Sequence, residues 1–292
     1  MYTQFFGNFL LSKGYITNEQ LFDALKEKAQ KHAKLGTLAI HSGLMTAAEV
    51  DSVIVEQTHQ DKKFGELTID MGYLTDEQVK ELLNIQSPDF LLLGQILLDK
   101  GIIDNTTLEK SIHDYRNENA ISDLDMVLED KDSINHQIGH FFANTGIDPS
   151  AIDIMYLELL FNSFIRFVGD DYTPLSAEIC DSFSADCMVR QDIKGSYAIS
   201  TYIGMSQTTA INFASRYVNE SFSVYDEYVQ ASLDDFLNLN NGLFLDNCSN
   251  DQAHELPLTA PQHFDGQTRS FNKACKLKLL YPFGAIHFIF EF

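Results

Sequence analysis

A helical repeat module followed by an α+β domain with a mainly antiparallel sheet is the fold class this sequence predicts. Three observations carry it. Glycines at a fixed spacing mark a repeat through the first 118 residues. Apolar periodicity in the second half then alternates between helical and strand spacing. The chain closes on a hairpin of strand-forming residues. At 292 residues the chain is long enough for two domains.

Four segments align without gaps: FGNFLLSKGYIT from Phe6, LGTLAIHSGLMT from Leu35, FGELTIDMGYLT from Phe64 and LGQILLDKGIID from Leu93. Their first glycines, Gly7, Gly36, Gly65 and Gly94, stand 29 apart. Their second glycines, Gly14, Gly43, Gly72 and Gly101, keep that register. Each unit reads as a short helix, a glycine stop in the left-handed region, and a longer amphipathic helix. Thr17, Thr46, Thr75 and Asp104 stand where an N-cap must accept from unpaired backbone N–H groups. Gln20, Glu49 and Gln78 complete capping boxes in three of the four copies. Pro88 stops the third long helix. One unit cannot bury its own apolar stripe, so the copies must pack on each other in pairs. A further segment, IGHFFANTGID from Ile138, repeats the glycine spacing at Gly139 and Gly146 out of register.

Residues 119–149 read as an acidic linker or connecting helix, with His136 and His140 four apart but no third metal ligand to name. From residue 150 a long apolar helix begins, capped by Ser150 or Asp148. SYAISTYIGM, residues 196–205, alternates as a strand, and the next helix is capped by Ser206. In CKLKLLYPFGAIHFIFEF, Pro282 and Gly284 make the turn of a hairpin, and Ile286, Phe288, Phe290 and Phe292 line one face of its last strand. Helices on one face of an antiparallel sheet give the expected α+β domain, 150–292.

Composition narrows the function. Hydrophobic residues at 45% and charged residues at 21% exclude wholesale disorder. A net charge of −22 disfavours duplex nucleic acid and anionic membrane surfaces, and favours partners with basic patches. No apolar run approaches the ~18 residues a membrane span needs. Cys180, Cys187, Cys248 and Cys275 show no CxxC spacing and the opening residues make a poor signal peptide, so a cytoplasmic protein with reduced thiols is expected. Phosphate-loop, nucleophile-elbow and Cys/His-cluster motifs are absent.

The repeats resemble the N-terminal domain of type II secretion and pilus-assembly ATPases, the MshEN domain, whose units read Arg-Leu-Gly, a short apolar run, Gly, then a helix ending in Leu-x-x-Gln. In some members of that family paired repeats bind cyclic di-GMP. The resemblance implies contacts from Lys34, Leu35, Gly36, Lys63, Phe64 and Gly65, since only the second and third copies keep both a basic residue and the terminal Gln, at Gln57 and Gln86. Lysine replaces arginine there, and lysine lacks the bidentate fork. A helical docking platform without a ligand is the other reading.

No Lys or Arg occurs between Arg216 and Arg269, and within that acidic stretch lies YDEYVQASLDDFLNLNNGLF. Val229, Leu233, Phe236 and Leu237 form the buried stripe of a helix, while Asp235, Asn238 and Gly242 share a different face. With the surrounding order of elements, this stretch resembles the CheX/CheC group of chemotaxis phosphatases, whose signature is Glu-x-x-Asn-x-x-x-Gly on a surface helix. Here it reads Asp235-Phe-Leu-Asn238-Leu-Asn-Asn-Gly242, with Asp for Glu.

The resemblance implies a phosphorylated response-regulator receiver domain as substrate. It makes Asn238 the residue that orients the attacking water, and Asp235 the partner of the receiver's lysine. Gly242 and Asp234 are assigned to docking. The protein needs no metal or cofactor of its own, because the receiver brings the Mg²⁺. The resemblance leaves a homodimer open. Rival readings are a non-catalytic receiver-binding adaptor, a cyclic di-GMP sensor acting through the repeats, or ordinary polar residues beside a helix end capped by Asn240–Asn241–Gly242.

Overall fold

The computed structural model describes residues 2–27, 32–84, 89–118, 138, 141–142, 145–195, 197–251 and 257–291. Pro88, His136, Gly139, His140 and most of the linker 119–149 lie outside them. Two compact units, Tyr2–Leu128 and Glu129–Phe292, divide the chain.

The first unit is helical: α1 Tyr2–Ser12, α2 Asn18–Glu27, α3 Leu35–His41, α4 Ala47–Gln57, α5 Phe64–Asp70, α6 Asp76–Asn84, α7 Asp89–Asp99 and α8 Asn105–Glu118. Every second glycine adopts the left-handed conformation, with φ of 72°, 67°, 77° and 64° at Gly14, Gly43, Gly72 and Gly101. The caps form as the sequence predicts. Thr17 N donates to Gln20 Oε1 at 2.8 Å and Gln20 N donates back to Thr17 Oγ1 at 3.2 Å. Thr46 with Glu49 and Thr75 with Gln78 repeat the exchange. In the fourth copy Thr107 N donates to Asp104 Oδ1 at 2.7 Å, and the Thr107 hydrogen bonds hold the Asp104 carboxyl below its ordinary range.

The first glycines have a different task, which is close packing. A Cβ on Gly36 would stand 3.0 Å from Val50 Cγ1 and 3.3 Å from Phe64. One on Gly65 would stand 3.2 Å from both Leu35 and Val79. The second and third copies therefore clasp reciprocally, each apolar residue before the glycine packing on the glycine of the other. The first copy packs on the fourth through α1 and α7.

The second unit runs α9 Ala151–Phe167, β1 Thr173–Pro174, β2 Glu178–Ile179, β3 Ser182–Phe183, β4 Cys187–Ile193, β5 Ile199–Met205, α10 Gln207–Tyr217, α11 Glu227–Asp251, β6 Gln262–His263, β7 Arg269–Ser270, β8 Ala274–Tyr281 and β9 Gly284–Glu291. The main sheet has the order β1-β8-β9-β5-β4-β6, with β2 also on β8, and every pairing is antiparallel. Ser150 caps α9 in a capping box with Asp153, and Ser206 caps α10.

Register fixes the two faces of the sheet. Val189, Ile203 and Phe288 lie side by side across β4, β5 and β9, as do Gln191, Thr201 and Phe290. This face takes α9, whose Tyr156 meets the Phe288 and Phe290 rings. The opposite face buries its own cluster of Cys180, Met188, Tyr202, Phe271, Ala274 and Ile289. The four cysteines are buried, and none of them is in a disulfide. The hairpin joins β8 to β9 at Tyr281 and Gly284. Gly284 has φ +148°, and a Cβ there would stand 2.1 Å from Thr209 Oγ1.

The helix end read at Asn240–Asn241–Gly242 is corrected: α11 continues to Asp251. Asn240 and Asn241 turn into the core at 0% exposure, and Phe244 extends the buried stripe. With partners on other elements, the two amides do not cap their own backbone.

Candidate functional site

Asp226 opens α11, its Oδ1 accepting from Tyr228 N and Val229 N at 3.1 Å each. Val229, Leu233, Phe236 and Leu237 are all fully buried, so this stripe sets the rotation of the helix. Asp235 and Asn238, one turn apart, come out exposed on the outer side. Gly242 follows a further turn on, and a Cβ there would meet nothing within 4 Å. It leaves room above the helix and serves no close contact inside the domain.

Each exposed polar side chain is held by a residue from another element. Tyr217, the last residue of α10, donates its hydroxyl to Asp235 Oδ2 at 2.6 Å. The Tyr217 ring stacks on Phe213 at 5.9 Å and meets Phe236 edge-on at 5.8 Å, so the hydroxyl is fixed by packing. Burial and the bond to Asp235 push the Tyr217 phenol well above its ordinary pKa, which keeps it a donor. Asn238 Oδ1 accepts from Gln191 Nε2 at 2.8 Å. Gln191 is fully buried on β4, among Cys187, Val189 and Ile193 on the same face.

Asp234 faces elsewhere. Its carboxylate meets His263 Nε2 of β6 at 2.9 Å, so it is engaged within the domain. The site therefore gathers Asp235, Asn238 and Gly242 on one face and separates Asp234 from them. Sequence reasoning missed Tyr217 and Gln191. A glutamine at an inward position of the strand CMVRQDI, between Val189 and Ile193, was the available signal for the second.

In the helical unit, Lys34, Leu35, Gly36 and Phe64 line a cleft of about 780 Å³, while Lys63 and Gly65 are not part of its lining. Asp51, Asp99 and Asp104 line the same cleft. Lys34 Nζ pairs with Asp99 Oδ1 at 2.7 Å, and Lys34 N donates to Gln95 Oε1 at 3.0 Å. Three carboxylates beside one ammonium oppose a phosphate-bearing ligand. Among the described residues no group of three or more His, Cys, Asp or Glu side chains is placed to hold a metal ion, and no helix is long and apolar enough to cross a membrane.

No protein-family model and no curated protein matches the sequence. Solved structures that resemble the C-terminal half are CheX- and CheC-like chemotaxis proteins. A CheC-like superfamily protein from Shewanella sp. PV-4 is 14% identical, with 49% of this chain and 98% of that chain covered and a TM-score of 0.43. The chemotaxis protein CheX from Vibrio vulnificus is 12% identical over 49% of this chain and 99% of its own, with a TM-score of 0.42. A CheX–CheY–BeF3–Mg complex from Borrelia burgdorferi is 17% identical over 47% of this chain and 94% of that chain, with a TM-score of 0.38.

Proposed function

We propose that the outer face of α11 dephosphorylates the phosphoaspartate of a response-regulator receiver domain. The observation that carries this reading is the exposed Asp235–Asn238 pair, one turn apart, each fixed by a side chain from a different element. Each bond removes rotamer freedom that an exposed side chain would otherwise keep, so the pair is presented in one geometry.

A receiver supplies its own Mg²⁺ and lysine and lacks only a fixed water. Asn238 holds that water in line with the scissile bond. The water oxygen forms a new P–O bond as the acyl-phosphate P–O bond breaks. The breaking bond's electron pair returns to the receiver's carboxylate, the water's proton leaves to solvent, and inorganic phosphate departs. Asp235 pairs with the receiver's lysine and aligns the two proteins, with Gly242 leaving space for the partner's backbone. Holding the water in attack geometry lowers the barrier by ~2–4 kcal/mol.

The test is phosphate loss from purified phosphorylated receivers across a range of receiver concentrations. Asn238→Ala lowers kcat, while Asp235→Ala raises KM with a smaller change in kcat. Acceleration that survives in Asn238→Ala removes the site assignment. Saturable binding without acceleration by the wild type replaces the phosphatase with the adaptor, for which the short reach of Asp235 would be the physical reason.

A further inference from the structure

The buried amides beneath α11 form a hydrogen-bond chain with a single sense. Asn240 Nδ2 donates to Tyr156 Oη at 3.1 Å, and the Tyr156 hydroxyl donates to Asn241 Oδ1. Asn241 Nδ2 donates to Gln191 Oε1 at 2.8 Å, and Gln191 Nε2 donates to Asn238 Oδ1 at 2.8 Å. Tyr156, Gln191, Asn240 and Asn241 are all buried, so none can exchange these partners for water.

Two groups lock the sense. Gln191 Nε2 also donates to the Thr259 carbonyl at 2.9 Å, and a carbonyl can only accept. Reversing the Gln191 amide would set oxygen against oxygen there. The Thr201 hydroxyl donates its hydrogen to the Gln191 carbonyl at 3.1 Å, so its oxygen is left as the acceptor for Asn241 Nδ2 at 3.0 Å. Asn241 cannot reverse either. Asn238 must then turn Oδ1 inward, which leaves Nδ2 for the outer surface. Asn238 Oδ1 holds the bond from Gln191, and Asn238 itself is exposed.

We infer that this chain makes Asn238 a fixed donor: its two Nδ2 hydrogens are what the surface offers to an oxygen lone pair of a bound phosphoryl group or of the attacking water. Gln191 is the positioning residue that sets the sense. Aligned amides polarise one another, so the terminal donor is stronger than an isolated asparagine. An amide that accepted from the water would have to present Oδ1 at the surface; the buried chain assigns the opposite sense. The inference rests on the dephosphorylation reading for its substrate, and on geometry alone for the orientation.

Two arms separate those dependencies. In the first, nuclear magnetic resonance of the full chain follows the Asn238 side-chain amide, assigned by its loss in Asn238→Ser. Both hydrogens exchange with water at exposed-amide rates in the wild type. Protection of one of them, which would mean that it donates into the core, overturns the orientation. In the second arm, Gln191→Glu places a carboxylate against the Thr259 carbonyl and Asn238 Oδ1, forcing Asn238 to reverse. One Asn238 hydrogen becomes protected, and the acceleration of receiver dephosphorylation drops at least tenfold at pH 8. As pH falls and the new carboxyl protonates, the rate relative to wild type recovers, which a merely structural defect would not show. Acceleration equal to wild type at pH 8 overturns the role of Gln191. If the wild type accelerates nothing, the dephosphorylation reading fails, and the exchange arm still decides the orientation.

Discussion

In the helical repeats, the capping-box hydrogen bonds join residues three apart, as from Thr17 to Gln20, Thr46 to Glu49 and Thr75 to Gln78. In the α+β domain, the bonds that build the site reach much farther along the chain. Tyr217 and Asp235 are 18 apart, Gln191 and Asn238 are 47 apart, and Tyr156 and Asn241 are 85 apart. The capping boxes satisfy polar groups locally at exposed helix ends, where losing a bond lets water in, while Gln95 supplies the repeats' own buried long-range partner to Thr37. The site satisfies them across a dry core, where losing one leaves several groups stranded. The same number of hydrogen bonds therefore carries unequal weight in the two regions.

Replacing one side chain in each region gives the largest contrast. Asn241→Leu strands the Tyr156 hydroxyl and the Gln191 amide in the core. We expect a loss of roughly 3 kcal/mol in the urea unfolding of the α+β domain. Thr46→Ala, which removes a cap, costs about 1 kcal/mol. Equal losses would break the comparison.

Glycines sharpen it at somewhat smaller size. Gly284→Ala meets both a φ of +148° and a Cβ position 2.1 Å from Thr209 Oγ1, so a loss of about 2–3 kcal/mol is expected. Gly43→Ala has a φ of +67° and nothing within 4 Å, and about 1 kcal/mol of backbone strain is all it incurs. Thermal unfolding of the two variants measures the difference.

A pH dependence is also expected in the α+β domain. Burial, aided by Lys276 and Lys278, pushes the His287 imidazole down to about 4 from 6.5. Its Nδ1 is buried without a partner. The unfolded chain takes up the proton first, so the stability is fully present above pH 6.5 and is lost as pH falls toward about 4. We expect a loss of roughly 3 kcal/mol across that window, and a flat profile in His287→Gln. The same slope in both proteins would assign it to another group.

The comparison also explains what the sequence reveals. Caps, glycine stops and the buried stripe of Val229, Leu233, Phe236 and Leu237 depend on spacing along the chain, and all of them appear as read. So do the closing hairpin and the outward placement of Asp235 and Asn238. Tyr217 and Gln191 meet their partners only after α10 and β4 have packed against α11, and no local spacing reports that. The continuation of α11 past Gly242 was hidden for the same reason: Asn240 and Asn241 look like cap residues until their partners in the core are known.

The central claim is that the Asn238 face of α11 removes phosphate from a receiver. Its most direct test is the half-life of the phosphoaspartate on a candidate receiver, with and without an excess of the full chain. The account predicts a half-life shortened by roughly 30-fold or more, the rate equivalent of ~2 kcal/mol, and a return toward the buffer value with Asn238→Ala. A half-life unchanged by the wild-type protein while it binds the receiver would contradict it.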